Sequence, residues 1–169
     1  NAGVISMNSV SSMEISNLTL TGGYTSSQGG GISCNSSSPA LRNLSILNCH
    51  GNYGGGIGFF GTGYPIVQDI SLSGNSAAYY GGGIYCSTSS PVLLDVMIRD
   101  NSAGYDGGGI YISDNSSPLL QHVSIMNNYA GYSGGGLVCG YYAGPEMQDV
   151  TISNNSAGNS GGGIYFDYS

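Results

Sequence analysis

A chain of 169 residues is long enough for one domain, and its 31 glycines, 14 tyrosines and only two basic side chains, both arginine, set it apart from average globular composition. A hydrophobic fraction of 40% supplies enough apolar surface for a core, which excludes a disordered glycine-rich chain. Net charge is −7 with no basic cluster, which argues against a nucleic-acid interface, and no apolar run approaches the ~18–20 residues of a membrane-spanning helix.

Internal repetition dominates the chain. A Gly-Gly-Gly triplet begins at residues 29, 54, 81, 107, 134 and 161, so successive units are 25 to 27 residues long. A proline follows each of the first five triplets after ten or eleven residues: Pro39, Pro65, Pro91, Pro118 and Pro145. Residues 1–28 fit the same frame, with Met13 at the proline position.

Within a unit, the first predicted strand follows the glycines. Ile32, Ile57, Ile84, Ile110, Leu137 and Ile164 form one apolar column, and Cys34, Phe59, Cys86, Ile112, Cys139 and Phe166 form another two residues on. That alternation marks a strand with one buried face. A second strand carries Ile15, Leu41, Val67, Leu93, Leu120 and Met147, two residues past the proline position. A third carries Leu18, Leu44, Ile70, Val96, Val123 and Val150, then Leu20, Ile46, Leu72, Ile98, Ile125 and Ile152. Asn75, Asn101, Asn128 and Asn155 come next, each two residues before an alanine, and alternation turns them inward as a structural asparagine ladder. Gly23 and Cys49 interrupt that ladder in the earlier units.

Strands this short need their copies in neighbouring units as partners. The pattern therefore predicts an all-β fold: one right-handed parallel β-helix over residues 1–169, about six coils with three short strands each. Asn1-Ala-Gly-Val-Ile5 reads as a degenerate first strand and Gly161–Phe166 as the start of a seventh coil. With no cap visible at either end and no initiating Met, the chain is expected to be a fibre subunit that stacks head-to-tail into a filament, or an excerpt that continues in a longer chain.

Chemistry is hard to place on this frame. The column four residues past the proline, Asn17, Asn43, Asp69, Asp95, His122 and Asp149, is the best place to look for an acid–base pair or a weak cation site. The same residue types serve as corner residues between strands, and the column repeats as the fold repeats, so the corner role is the expectation. Arg42 and Arg99 are too few for an anionic-sugar cleft. No metal, cofactor or catalytic motif stands out: the calcium-binding nonapeptide is absent, and Cys49-His50 alone reads as turn residues rather than zinc ligands. Cys34, Cys86 and Cys139 read as buried apolar residues, with a Cys34–Cys49 bridge left open. The outward column Thr19, Ser45, Ser71, Met97, Ser124 and Thr151 is too irregular for ice binding.

Tyrosines are the most distinctive surface feature. Tyr53, Tyr79, Tyr105 and Tyr132 read as one column before the glycines, with Tyr85, Tyr111 and Tyr165 after them. They offer an aromatic strip for a glycan or a protein surface, or they stack on one another over the glycine-rich corners. Among the Asn-x-Ser/Thr sequons, at Asn17, Asn35, Asn43, Asn115 and Asn154, the outward-facing Asn17 and Asn43 are the candidate glycosylation sites.

Segments such as Ile152-Ser-Asn-Asn-Ser-Ala157, followed by Gly161-Gly-Gly-Ile-Tyr165, resemble the repeats of polymorphic outer membrane proteins and related β-helix surface proteins. That family's Gly-Gly-Ala-Ile element corresponds here to Gly-Gly-Gly-Ile. Its Phe-x-x-Asn element corresponds to Leu72-x-x-Asn75, Ile98-x-x-Asn101, Ile125-x-x-Asn128 and Ile152-x-x-Asn155. The resemblance implies an exported, surface-displayed and often adhesive protein. The expected function is a non-catalytic extracellular rod at the cell surface. An adhesin segment binding host protein or glycan is the alternative, and a polysaccharide-active enzyme comes third.

Overall fold

The computed structural model describes residues 3–167. The described residues hold strands, turns and no helix, and all strand pairs are parallel. Three sheets run along the stack. The first contains seven strands, Ile5–Asn8, Ile32–Asn35, Ile57–Phe60, Ile84–Ser87, Ile110–Ser113, Leu137–Gly140 and Ile164–Asp167. Their register places Ile5, Ile32, Ile57, Ile84, Ile110, Leu137 and Ile164 in one column, as the alternation requires. Of the run read as a degenerate first strand only Ile5 belongs to it, because the strand begins where the isoleucine column begins; Asn1 and Ala2 lie outside the described residues.

The second sheet differs in its divisions from the sequence reading. The expected second and third strands are one eight-residue strand in four coils: Glu14–Thr21, Ala40–Leu47, Ile66–Ser73 and Val92–Arg99. Only the last two coils break it, into Leu119–Gln121 with Ser124–Met126 and Glu146–Gln148 with Thr151–Ser153. Each long strand bends at one left-handed residue, where Asn17, Asn43, Asp69 and Asp95 have φ between 49° and 57°. His122 and Asp149 hold the same conformation at the breaks, with φ of 52° and 51°. Asn and Asp tolerate this backbone better than other side chains, which explains a polar column between two apolar ones.

A third sheet lies where the sequence reading had a corner. It contains His50–Tyr53, Ser76–Tyr80, Ser102–Ala103, Tyr129–Ala130 and Ser156–Ala157. His50 is thus a strand residue, its ring stacked on Tyr24 at 5.0 Å and its Nδ1 2.9 Å from Ser76 Oγ. Tyr53 pairs in register with Tyr80 and not with Tyr79, since the Ser76–Tyr80 strand carries one extra residue in a bulge.

The core is the column interior. Ile32, Ile46, Ile84, Ile98, Ile110 and Ile125 have no solvent exposure, and burying each such side chain contributes roughly 1.5–3 kcal/mol. The glycine triplets let the coils close. Gly81 has φ +68°, and a Cβ on Gly82 would lie 2.4 Å from the Gly108 carbonyl oxygen of the next coil. Prolines sit just before the second-sheet strands, where their missing N–H costs no ladder bond, while their carbonyls accept from the next coil, as in Val92 N–H to Pro65 O at 2.8 Å.

Candidate functional site

The asparagines form a continuous internal chain of hydrogen bonds. Asn75 Nδ2 donates to Asn101 Oδ1 at 3.0 Å, Asn101 Nδ2 to Asn128 Oδ1 at 3.1 Å, and Asn128 Nδ2 to Asn155 Oδ1 at 2.9 Å. Each Oδ1 also accepts the backbone N–H of the preceding rung, and each Nδ2 donates to a carbonyl, as Asn101 does to Leu72 O at 3.1 Å. One amide side chain thereby satisfies buried backbone groups that the corner leaves without a ladder partner. Cys49 lacks such a side chain, and its own N–H is met by Asn75 Oδ1 at 3.0 Å.

The outward Asx column is a row of exposed corners. Asn17 and Asn43 are exposed, with Asn43 Nδ2 donating to Asn17 Oδ1 at 2.6 Å. His122 lies between two carboxylates, its Nδ1 3.3 Å from Asp95 and its Nε2 3.6 Å from Asp149. All three side chains are more than half exposed, so the contacts are worth little in water. No grouping of three His, Cys, Asp or Glu suited to a metal occurs among the described residues.

The four cysteines are free and buried, with no Cys34–Cys49 bridge. Burial pushes the thiols of Cys34 and Cys139 up to about 12 and raises those of Cys86 and Cys49, which suppresses the reactive thiolate. They pack as small apolar residues.

Six tyrosines, Tyr53, Tyr79, Tyr80, Tyr85, Tyr105 and Tyr111, assemble into one network at the corner between the third and first sheets. Tyr53 touches Tyr79, Tyr80 and Tyr85 at ring separations of 5.4 to 5.9 Å. Tyr80 stacks on Tyr111 at 4.8 Å, and Tyr111 lies parallel to Tyr85 at 5.6 Å and 8°. Tyr105 joins at the outer edge, 5.8 Å from Tyr79, and Phe60 extends the stack from Tyr85 at 5.2 Å. Tyr132 and Tyr165 take no part in these ring contacts. The network thus mixes stacking with exposure: Tyr111 is 8% exposed, Tyr105 52%.

Beside it opens a cleft of about 320 Å³ that the sequence reading did not find. Tyr80, Tyr85, Tyr111 and Tyr141 supply its rings, and Asp106, Asp114 and Asp167 its charge. Asp106 Oδ1 accepts the Ser133 N–H at 2.8 Å, and Asp114 Oδ2 accepts the hydroxyls of Ser87 and Ser113 at 2.6 and 2.9 Å. Desolvation raises the Asp106 carboxyl, the Ser133 N–H opposes the shift, and the Asp167 charge adds to the rise. Burial, then the neighbouring Tyr85, Tyr80 and Asp106, raise the Tyr111 hydroxyl. Column reading could have located part of this set. Asp106 pairs with Tyr80, itself the partner of Tyr53, and Asp167 pairs with Gly140.

Two family models match the chain. Residues 149–167 match the Chlamydia polymorphic membrane protein repeat, the stretch containing the Ile152-x-x-Asn155 and Gly161-Gly-Gly-Ile164 elements. No curated protein and no solved structure matches the chain. A model of the right-handed β-helix region matches residues 1–142, most of the length and the same coils that stack in the structure, and the chain belongs to the right-handed β-helix family.

Proposed function

We propose that this chain is part of a surface-displayed β-solenoid and works as a rigid, non-catalytic rod whose end coils meet further coils of its own chain or of another copy. The supporting observation is regularity. Three sheets and the asparagine ladder run from coil to coil, and coil length changes by no more than two residues, so no coil extends a long loop over another. The match of residues 149–167 to a polymorphic membrane protein repeat supports display at an outer surface. An antibody against the folded chain should label intact cells of the source organism, and the purified protein should release no reducing ends from a panel of neutral and acidic polysaccharides. Release of reducing ends, abolished by substitution in the cleft, would refute the non-catalytic reading. Light scattering should show growth with concentration, and a monomer at every concentration would refute pairing between copies.

A second reading, contact with a host protein or glycan through the tyrosine face, is favoured by one observation. Tyr79, Tyr105 and Tyr132 are 40%, 52% and 56% exposed, and large exposed rings of this kind are enriched in binding surfaces. Alanine at Tyr79 and Tyr105 should then reduce attachment to host cells without altering the far-UV circular dichroism spectrum.

A further inference from the structure

We propose that the cleft beside Tyr80 and Tyr111 binds an organic cation, a guanidinium or alkylammonium group, with Asp106, Asp114 and Asp167 as its counter-charges. The inference rests on the reading of the tyrosine face as a contact surface and names the chemistry that face would take.

Charge balance comes first. Three carboxylates line the cleft, and no basic side chain lines it with them. The two arginines are engaged elsewhere, Arg42 with Glu14 and Gln68, Arg99 with Asp100. Asp106 is partly desolvated and feels the Asp167 charge, so a cation entering the cleft would relieve both penalties.

Hydrogen-bonding capacity narrows the ligand further. Ionised carboxylates only accept, whereas guanidinium and ammonium groups only donate. The hydroxyls of Tyr80, Tyr85, Tyr111, Tyr141 and Ser113 both donate and accept, so it is the three carboxylates, which only accept, that favour a cation over a neutral sugar. The Tyr111 hydroxyl adds an acceptor: the residue is 8% exposed, lines the cleft and makes no side-chain hydrogen bond. It lies above Gly140, where a Cβ would be 3.6 Å from it. The stacked rings of Tyr80, Tyr111 and Tyr85 complete the fit as an apolar wall for the stem that carries the charged group. A volume of about 320 Å³ accommodates a guanidinium on a short aliphatic stem.

The test titrates agmatine into the full chain at low salt and follows tyrosine fluorescence, which is undisturbed because the chain has no tryptophan. A saturable response is expected. The double variant Asp106→Asn, Asp114→Asn should weaken it at least ~10-fold, the loss of one charge-assisted contact or more. Gly140→Leu, which places a side chain beside the Tyr111 hydroxyl and Asp167 without altering a carboxylate, should also weaken it while the circular dichroism spectrum is kept. A tripeptide Gly-Arg-Gly binding more tightly than agmatine would identify a protein side chain as the source, and the reverse order a free amine. No saturable response to agmatine, or one unchanged in both variants, would overturn the inference. If a chito-oligosaccharide then bound instead, the contact-surface reading would stand and the cation would not.

Discussion

Asn101→Ala should be strongly destabilising although Asn101 lies outside the apolar columns. Asn101 is 1% exposed, and its side chain takes part in four hydrogen bonds. Truncation would leave the Asn75 backbone N–H and one Asn75 amide hydrogen without partners in a buried corner, and the Leu72 carbonyl would lose one of its donors. Asn128 Oδ1 would still accept the backbone N–H of residue 101, so two groups are stranded. At ~1–3 kcal/mol for each unsatisfied buried group, the loss is about 2–6 kcal/mol. Urea unfolding followed by far-UV circular dichroism measures it, with Asn159→Ala, an exposed position, as a control expected within ~0.5 kcal/mol of the parent. A loss under about 1 kcal/mol with an unchanged urea slope would refute the claim that the ladder satisfies the corner backbone.

Gly82→Ala should abolish folding, because its Cβ would meet the Ser102 and Gly108 carbonyl oxygens at 2.3 and 2.4 Å; a soluble variant with the parent's melting temperature would contradict the coil spacing. The four thiols should resist maleimide labelling at mildly alkaline pH until urea is added, since all four are buried and burial raises their titration; rapid labelling of the folded protein would place at least one cysteine on the surface. Asp106→Asn should reveal a linkage of known sign. The folded-state carboxyl titrates above the unfolded one, so its ionisation lowers stability as pH rises through that interval. The variant should gain on the parent in melting temperature as pH rises from the acid range to neutrality, whereas a gap that narrows with rising pH would contradict the desolvation of Asp106.

The apolar columns could be read from sequence because period-two alternation and the glycine and proline markers keep step, so Ile98 and Cys86 fall inside where the pattern puts them. Strand divisions were less legible. Asn43 and Asp69 look like breaks between strands, yet a single left-handed residue bends a parallel strand without ending its ladder. The third sheet was read as a corner because Ser102-Ala103 and Ser156-Ala157 are two-residue strands of small side chains, too short for the Asn-x-Ala alternation to mark a strand. The cleft was hidden for a different reason. Asp114 and Tyr141 belong to segments where successive coils differ in sequence, so their proximity depends on three-dimensional corners and not on the repeat. The bulge that pairs Tyr53 with Tyr80 shifts the aromatic column by one residue, a change that equal spacing from the glycines conceals.

In-register stacking of the coils is the claim on which all else depends, and a distance between spin labels tests it directly. Thr19 and Thr151 are exposed and occupy the same column, linked through Ser45, Ser71, Met97 and Ser124 by successive register pairs. Five rung steps of about 4.8 Å put their backbones roughly 24 Å apart. Cysteines introduced at these two positions would label while the native thiols stay buried. Pulsed electron resonance should give one narrow distribution near that separation, broadened only by the label tethers. A broad distribution, or a centre beyond about 35 Å, would contradict a stack in which each coil lies directly on the last.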